Sequence, residues 1–441
     1  MKPGPRRVAW EILGGCEGPG PRLEKLIHLH LTRASHLDPR DKAFASALVY
    51  AVMRHKLRLQ WLLNYLLAKP FSRLNSRLRR LLLIMAAELV VLGHPGHAAV
   101  SSAVDLAREL GLGWASGLVN AVGRRLADGW EDIPLPSARQ QPVEYLSVAY
   151  SHPRWIVELM LTHGDVGFVE QWLGANQLNP PFTLRVNTLR TTAQELMALF
   201  NTASIEAKAH PLLPTALVVN PPPGPASSLP GFKKGLWQAQ DAGAQLLTLA
   251  TAAAPGMRVL DMCAGAGGKS GQLWEMMRGQ GELVAVEPSP GRARALRKNL
   301  ARLGVTARII EADALTLTPE KVGNFDLVLV DAPCTGLGVI GRRPDIRWRR
   351  TPADPPRMAR LQRQLLAKAL ELSAPGGWVV YCTCTITPEE NEEVVKALGG
   401  PGPWPEGCPA PATNCIDSRG YLRTYPHLHQ ADGFFGACIR K

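Results

Sequence analysis

The chain has 441 residues, of which 46% are hydrophobic and 20% charged, a composition typical of a globular protein with two or three domains. Its longest apolar run, residues 81–92, is too short to span a bilayer and contains Glu88. The first residues lack the long apolar core of a secretory signal, so we expect a cytoplasmic protein. The net charge of +13 favours a polyanionic partner.

The positive charge is concentrated in the first third of the chain, which also has a helical pattern. Residues 1–140 hold 20 Lys and Arg against 11 Asp and Glu, which accounts for +9 of the total. Apolar residues recur there at three- and four-residue steps, as at Leu59, Leu62, Leu63 and Leu66, without strand-like alternation. We therefore predict an all-α domain over residues 1–140 that binds RNA; a solvated basic surface is the alternative.

A small domain is predicted between this helical part and residue 236. Residues 133–141 have the proline and polar side chains of a linker. Val143–Leu178 has a helical pattern, and Phe182–Asn187 has the pattern of a strand. Residues 211–234 are rich in proline and include Pro221–Pro223. We interpret residues 141–236 as a small α+β domain that connects the other two and binds RNA.

From residue 237 onward, helical segments alternate with short apolar strands. Five strands are predicted, at residues 257–262, 281–287, 307–313, 325–331 and 377–383. Their nearly continuous apolar character is typical of parallel strands that are covered on both faces. This alternation predicts an α/β doubly wound (Rossmann-like) domain over residues 237–441, which binds ligands beyond the carboxyl ends of its strands.

A glycine-rich segment follows the first of these strands and is the candidate cofactor loop. Glycines allow a tight turn and close approach of the backbone to a ligand, and the following helix offers free N–H groups. The segment differs from a P-loop because Cys263 replaces the first glycine, and adjacent glycines at 267 and 268 break the dinucleotide pattern. The candidate loop residues are Cys263, Ala264, Gly265, Ala266, Gly267, Gly268 and Lys269.

Acidic residues at the ends of the next strands help to choose among the possible ligands. Glu287 follows Gly267 by 20 residues, the spacing of an acid that binds a ribose diol. Asp313 ends the third strand, where it is placed to reach an adenine edge. Two such acids without a complete phosphate loop favour S-adenosylmethionine, while a nucleotide ligand and a simple tight turn are the alternatives.

Two cysteines stand at the ends of the fourth and fifth strands, Cys334 after Asp331 and Cys384 after Thr383. A single cysteine is most often a small buried hydrophobic residue, but two at strand ends beside a cofactor loop suggest chemistry. A thiolate that adds to carbon 6 of a cytosine makes carbon 5 nucleophilic enough to accept a methyl group. An acid must then hydrogen-bond nitrogen 3 and the exocyclic amine of the ring, and Asp331 is the candidate.

These segments resemble the RNA (cytosine-5) methyltransferase family, whose members have two active-site cysteines. The family's Asp-Ala-Pro-Cys matches Asp331–Cys334, and its Thr-Cys-Ser matches Thr383–Thr385. The resemblance implies that Cys384 attacks the base and that Cys334 helps to release the product. It also implies a cofactor site formed by Cys263–Lys269, Glu287, Asp313 and Asp331.

The resemblance covers most of residues 145–441 and includes Pro344–Trp348 and Asp432–Phe435. The helical first third is similar to the antitermination factor NusB, and the combination is similar to bacterial methyltransferases that act on 16S rRNA. Thr385 stands where serine is usual, and the cofactor loop lacks the family's usual proline. Neither difference removes a chemical group that the reaction needs. Cys382 is an additional thiol that we do not assign to catalysis.

An arginine-rich segment after Cys334 is the candidate RNA contact. Residues 341–363 contain eight arginines together with Trp348. Arginine binds phosphate and stacks on bases, and tryptophan offers a stacking face. A solvated basic helix is the alternative. Because the target base must reach two thiols inside a pocket, we expect it to be unpaired or flipped out.

The sequence therefore favours a multidomain enzyme that methylates carbon 5 of a cytosine in 16S rRNA, with S-adenosylmethionine as the methyl donor. We expect a monomer that binds RNA and no membrane. No metal site is predicted, because the cysteines and histidines lack zinc-ligand spacing. The alternatives are the same reaction on tRNA or another RNA, a non-catalytic RNA-binding factor with this fold, and a P-loop NTPase.

Overall fold

The computed structural model describes residues 2–18, 20–219 and 224–441, so Pro221–Pro223 of the proline-rich stretch lie outside the described residues. Within those ranges, none of the helices combines the length and the apolar character that crossing a bilayer requires. The chain divides into two units, Met1–Leu178 with Arg343–Arg349, and Asn179–Arg342 with Arg350–Lys441. The domain boundaries predicted at residues 140 and 236 stay predictions.

The first unit contains helices and no strands in its described residues. Two of its long helices begin at side-chain caps, in which Asp38 accepts from the Asp41 N–H and Asn75 accepts from the Arg77 N–H. The predicted all-α character of the N-terminal part is confirmed. The helices are α1 (Pro5–Gly15), α2 (Leu23–Arg33), α3 (Pro39–Leu66), α4 (Ser76–Val90), α5 (Gly96–Glu109), α6 (Ser116–Gly129), α7 (Pro142–Ala149), α8 (Arg154–Met160) and α9 (Val166–Ala175).

The helical pattern predicted over Val143–Leu178 corresponds to three helices, α7 to α9. Ser151 has a left-handed backbone, with a φ of 53°, which ends the helical path between α7 and α8. Pro153 then precedes α8, and the Asp165 side chain accepts from the Phe168 N–H to begin α9.

The second unit begins with a four-stranded antiparallel sheet of strand order β2-β3-β1-β4 and one helix against it. These elements are β1 (Phe182–Val186), α10 (Ala193–Thr202), β2 (Ala207–His210), β3 (Leu213–Val219) and β4 (Trp237–Ala239). A capping box between Thr192 and Glu195 begins α10. The fully buried Trp237 packs against Phe200 and Phe232 in the core of this part. The predicted α+β character is confirmed, although β1 is the only strand of this sheet that was predicted.

The remainder of the second unit forms a seven-stranded sheet of order β10-β11-β9-β8-β5-β6-β7. Strands β5 to β9 are parallel, while β10 and β11 pair antiparallel at one edge. The elements are α11 (Ala242–Ala250), β5 (Arg258–Asp261), α12 (Gly268–Met276), β6 (Glu282–Val286), α13 (Pro290–Leu303), β7 (Arg308–Ile310), α14 (Pro319–Val322), β8 (Phe325–Asp331), α15 (Ile346–Arg349, in the first unit), α16 (Asp354–Leu372), β9 (Ser373–Thr383), α17 (Glu392–Lys396), α18 (Ala410–Thr413), β10 (Leu422–Thr424), α19 (Pro426–His429) and β11 (Phe434–Arg440).

The predicted doubly wound fold class is therefore confirmed, together with all five predicted strands. Strand β7 is shorter than predicted, β9 begins earlier, and β10 and β11 were not predicted. Apolar side chains of β5, β6, β8 and β9, among them Leu260, Val284, Val328 and Val379, are fully buried. Because β5, β8 and β9 are adjacent and parallel, their carboxyl ends bring Asp261, Asp331 and the segment after Thr383 to the same edge of the sheet.

Candidate active site

The glycine-rich loop forms a tight turn between β5 and α12. Gly265 and Gly267 both have left-handed backbones, with φ values of 56° and 81°. A Cβ on Gly267 would lie 2.6 Å from Leu296 Cδ1, so this position also needs glycine for space. A Cβ on Gly268 would meet no atom within 4 Å, so the backbone at the start of α12 is open to a ligand.

Asp261, at the end of β5, is a polar residue of this site that the sequence analysis did not assign. Its Oδ2 accepts a hydrogen bond of 2.6 Å from Ser270 Oγ, whereas its buried Oδ1 has no partner among the described residues. Burial raises the pKa of Asp261 to about 6. Since buried polar atoms are normally satisfied, Oδ1 marks a place for a hydrogen-bond donor of a ligand. The position of Asp261 at the end of a strand, like that of Asp331, could have identified it as a site residue from the sequence.

The two acids expected to bind the cofactor follow β6 and β7. Glu287 is almost fully buried, and its Oε1 accepts from the Ser289 N–H at 2.8 Å and from Arg292 Nε at 2.9 Å. Both of these contacts use the same carboxylate oxygen. Asp313 is exposed and accepts from the Leu315 N–H at 3.0 Å through Oδ1. Each acid therefore has a second oxygen that these contacts do not use.

Lys269 belongs to the predicted cofactor loop, but in the structure its side chain forms an ion pair with Asp331. Its Nζ is 2.6 Å from Asp331 Oδ2, at the end of β8. Burial opposes the charge on Lys269, but the charge and the hydrogen bond of Asp331 favour it, and the pKa of the lysine is raised. The ammonium group therefore brings a fixed positive charge to the cysteine side of the site.

The two predicted active-site cysteines lie in direct contact. Cys334 Sγ and Cys384 Sγ are 3.1 Å apart, well beyond the length of about 2.05 Å of a disulfide, and both thiols are free. The hydrogen bond to Cys384 and burial raise the pKa of Cys334 well above its ordinary value. The high pKa keeps Cys334 protonated, and the two sulfur atoms are close enough for either thiol to donate to the other.

The other thiols near the site are buried and protonated. Cys382 is fully buried, with Sγ 3.6 Å from Asp331 Oδ1, and burial raises its pKa well above the ordinary value. Burial also raises the pKa of Cys263. Neither thiol has the thiolate character that a nucleophile needs. Across the described ranges, no group of three or more His, Cys, Asp or Glu is arranged to hold a metal ion.

The loop after Cys334 packs its backbone directly against that of Cys384. The Gly338 N–H donates to the Cys384 carbonyl at 3.0 Å, and the Gly433 N–H donates to the Gly338 carbonyl at 2.8 Å. A Cβ on Gly338 would lie 2.0 Å from the Gly433 carbonyl oxygen, so only glycine fits. This contact explains why the segment around Gly433 lies close to the cysteines.

The prediction that Arg347 contacts RNA is wrong, because this residue is buried inside the first unit, whereas Trp348 is half-buried against the core of that unit. Arg347 is fully buried and its guanidinium donates to three backbone carbonyls at 2.7–3.1 Å. Those carbonyls belong to Arg54, Ser151 and Asn176. Trp348 Nε1 donates to the Met53 carbonyl at 2.8 Å. A guanidinium enclosed by carbonyls has no face left for a base or a phosphate.

One further arginine of the same segment has a structural role, and two arginines on α16 are exposed. In the second unit, Arg342 bridges Asp241 and Asp432 at 3.0 and 2.8 Å. Arg357 and Arg360 on α16 have exposed side chains, and Arg357 pairs with the neighbouring Asp354. The arginine-rich segment therefore contains arginines whose guanidinium groups bind other protein groups, such as Arg342 and Arg347, and exposed arginines that can meet a polyanion.

Comparison with known protein families agrees with these features along the chain. The family described as 16S rRNA methyltransferase RsmB/F matches residues 248–440, which contain the glycine loop and both cysteines. The NusB family matches residues 5–128, and a ferredoxin-like domain of RsmF/B-like methyltransferases matches residues 152–224. A crystal structure described as that of PH0851 has a similar fold, with a TM-score of 0.76, 23% identity and 100% of both chains covered. Fold and matches together define a methyltransferase with a Rossmann-like catalytic domain.

Curated relatives match nearly the whole chain. Ribosomal RNA small subunit methyltransferase B of Klebsiella pneumoniae (strain 342) is 33% identical over 408 residues, with 91% of this chain and 90% of that protein covered. The probable ribosomal RNA small subunit methyltransferase B of Synechocystis sp. is 34% identical, with 92% of each chain covered. The chain belongs to the 16S rRNA methyltransferase RsmB/F family.

Proposed function

We propose that this methyltransferase transfers a methyl group from S-adenosylmethionine to carbon 5 of a cytosine in 16S rRNA, through a covalent bond between Cys384 and the base. The observation that carries the proposal is the contact of 3.1 Å between the thiols of Cys334 and Cys384 beside the Lys269–Asp331 ion pair. A non-catalytic factor or an NTPase has no use for such a thiol pair.

The residues around the glycine loop fit S-adenosylmethionine. The backbone at Gly268 is open, and the buried Asp261 Oδ1 needs a donor, which the amino group of the cofactor can provide. The carboxylate oxygens of Glu287 and Asp313 that face no described donor suit the ribose hydroxyls and the adenine amine. When bound, S-adenosylmethionine supplies an electrophilic methyl group on a sulfonium centre.

Cys384 is the nucleophile in this proposal. Its thiolate adds to carbon 6 of the cytosine, which makes carbon 5 electron-rich and ready to take the methyl group. Lys269 holds positive charge near the thiols, as the thiolate requires, and Cys334 donates its S–H to Cys384 before the attack. Asp331 is paired with Lys269 at the same edge of the sheet, where it can hydrogen-bond nitrogen 3 and the exocyclic amine as charge builds on the ring.

Cys334 is assigned to the release of the product. After methylation a base takes the proton of carbon 5, the electron pair re-forms the carbon 5–carbon 6 double bond, and the Cys384–carbon 6 bond breaks to return the thiolate. A second ionisable thiol in contact with Cys384 is placed to assist the proton transfers of this step. The high pKa of Cys334 suits a group that exchanges a proton rather than one that attacks the base.

The proposed substrate is RNA. The net charge of +13 and the exposed Arg357 and Arg360 favour a polyanion, and the curated relatives are called ribosomal RNA small subunit methyltransferases. We also propose three domains, a NusB-like domain over residues 1–140, a connecting domain over 141–236 and a catalytic domain over 237–441. Each of the three family matches falls inside one of these ranges.

The first test is methyl transfer from labelled S-adenosylmethionine to 16S rRNA in vitro. Cys384→Ser should reduce transfer to background while cofactor binding, measured by calorimetry, is retained. Cys408→Ser, which removes a thiol that takes no part in the site contacts described above, is the matched control and should remain active. Full activity of Cys384→Ser would overturn the assignment of the nucleophile.

The second test identifies the substrate in cells. Bisulfite sequencing of rRNA and tRNA should reveal one 16S cytosine that is methylated only when the gene is present. A site that is lost from tRNA instead would support the same chemistry on another RNA.

A further inference from the structure

The buried carboxylate of Glu390 is hydrogen-bonded to the residue that follows Cys334. Glu390 is fully buried, and its two oxygens accept four hydrogen bonds from neutral groups. Oε2 accepts from the Thr335 N–H at 2.9 Å and from Gln362 Nε2 at 3.0 Å. Oε1 accepts from the hydroxyls of Thr335 and Thr387, the latter at 2.9 Å. No Lys or Arg in the described ranges forms an ion pair with it.

These donors hold the backbone on both sides of Cys334. Gln362 Nε2 donates to the Pro333 carbonyl at 2.9 Å as well as to Glu390, and Thr335 donates through both its N–H and its hydroxyl. The residue after Cys334 is therefore held by Glu390 directly, and the residue before it is held through Gln362. Since a buried carboxylate that accepts several hydrogen bonds is costly to leave unsatisfied, this arrangement is rigid.

The same network reaches the loop of Cys384. Thr335 Oγ1 lies 2.7 Å from Thr385 Oγ1, the residue directly after Cys384. The backbone of Glu390 is itself anchored, because Tyr381 Oη donates to its carbonyl at 2.6 Å. Glu390 thus connects strand β9, the Cys334 loop and the Cys384 loop through contacts that are all internal to the second unit.

We propose that Glu390 is a positioning residue that sets the distance and alignment between Cys334 and Cys384 without touching the substrate. The inference rests on the proposed roles of the two thiols. Formation of the covalent bond requires only Cys384, but release of the product requires the thiols of Cys334 and Cys384 at the right distance and orientation. Loss of the Glu390 contacts should therefore slow release more than it slows formation.

The negative charge of Glu390 has a second, separable effect. It contributes to the raised pKa of Cys334, after the hydrogen bond to Cys384, burial and the charge of Cys384 itself. Glu390→Gln keeps the size of the side chain, and its amide can face the two hydroxyls, which are able to accept. This variant should keep the alignment of the thiols but lower the pKa of Cys334, so that the pH profile of release moves to lower pH.

The experiment compares Glu390→Ala and Glu390→Gln with Glu393→Gln, a control with an exposed carboxylate nearby on α17. One arm measures formation and decay of the RNA adduct in a single turnover on denaturing gels. The other arm needs no activity: diamide oxidises the thiol pair, and mass spectrometry follows the Cys334–Cys384 disulfide peptide. Gln362→Met, which removes one donor from Glu390, provides the same comparison if Glu390→Ala does not fold.

In Glu390→Ala we expect both disulfide formation and adduct decay to slow by about tenfold to a hundredfold, as when a reacting group is misplaced by about 1 Å. Adduct formation should change by much less, and Glu390→Gln should restore most of both rates. Wild-type rates in the alanine variant, or equal losses in formation and decay, would overturn the proposal. An absence of adduct in Cys334→Ala would reject the proposed function instead, while the disulfide arm in the wild type would still test the positioning role.

Discussion

The buried ion pair between Arg185 and Glu275 links the four-stranded sheet to the helix that follows the cofactor loop. Arg185 Nε and Nη2 contact the two oxygens of Glu275 at 3.1 and 2.8 Å, and both side chains are at most 5% exposed. Arg185 Nη1 also donates to the Gly268 carbonyl at 2.6 Å. Burial raises the pKa of Glu275, and Arg185 opposes that shift. Removal of the arginine should leave a carboxylate in an apolar site.

The decrease in the free energy of unfolding depends on whether Glu275 stays ionised or takes up a proton. Breaking a buried pair on one side costs about 3–5 kcal/mol. Protonation limits this loss, because neutralising a carboxyl of ordinary pKa 4.5 at pH 7 costs about 3.4 kcal/mol, at about 1.36 kcal/mol per pH unit. At pH 5.5 the same limit is about 1.4 kcal/mol. We expect Arg185→Met to lose about 3–4 kcal/mol at pH 7 and about half of that at pH 5.5.

The sign of the pH dependence follows from linkage. In the variant, the pKa of Glu275 in the folded state lies further above its value in the unfolded state. The stability that Glu275 contributes is therefore present at low pH and is lost as the pH rises through the folded-state pKa. Chemical unfolding followed by tryptophan fluorescence at both pH values measures the effect. The exposed Arg294→Met is the control, and Arg185→Met combined with Glu275→Met should recover most of the loss. A loss below about 1 kcal/mol at pH 7, or one that does not shrink at pH 5.5, would refute this reasoning.

Three further substitutions test other parts of the structure. Gly338→Ala places a Cβ 2.0 Å from the Gly433 carbonyl oxygen and should abolish methyl transfer and cost about 2–3 kcal/mol in chemical unfolding, whereas Gly291→Ala, which meets nothing within 4 Å, should be tolerated. Arg347→Lys cannot donate to three carbonyls at once, so hydrogen-exchange protection in the first unit should fall; unchanged protection would contradict its role as an anchor. The pKa of Asp261 is raised from 3.8 to about 6, so the stability it contributes is present below pH 3.8 and lost as pH rises through 6; Asp261→Asn should flatten the pH profile of unfolding in that window, and an unchanged profile would count against it.

Much of the site could be predicted because a parallel sheet gathers the carboxyl ends of its strands. Asp331, Glu287 and the two cysteines were each assigned from their place after an apolar strand, and the structure brings Cys334 and Cys384 into contact. The motifs carry this information locally, since the strand and the residue after it are neighbours in sequence. Strand alternation likewise predicted the doubly wound fold without any knowledge of side-chain contacts.

The features that the sequence did not reveal depend on long side chains and distant partners. Lys269 is part of the glycine loop in sequence, yet its ammonium pairs with Asp331, 62 residues away. Arg347 has the composition of an RNA contact, but its guanidinium is enclosed by carbonyls up to 293 residues away in sequence. Glu390 stands in a run of acids that resembles a solvated surface. In each case the role of the residue depends on where its side chain points. Residue type and spacing in the sequence do not specify that direction.

The central claim is that Cys384 forms the covalent bond to cytosine and that Cys334 is needed to break it. The most direct measurement incubates Cys334→Ala with 16S rRNA and S-adenosylmethionine, isolates the slow band on a denaturing gel and maps the RNA-linked peptide by mass spectrometry. The proposal predicts a stable adduct whose modified residue is Cys384. An adduct that forms in Cys384→Ser and maps to Cys334 would contradict it.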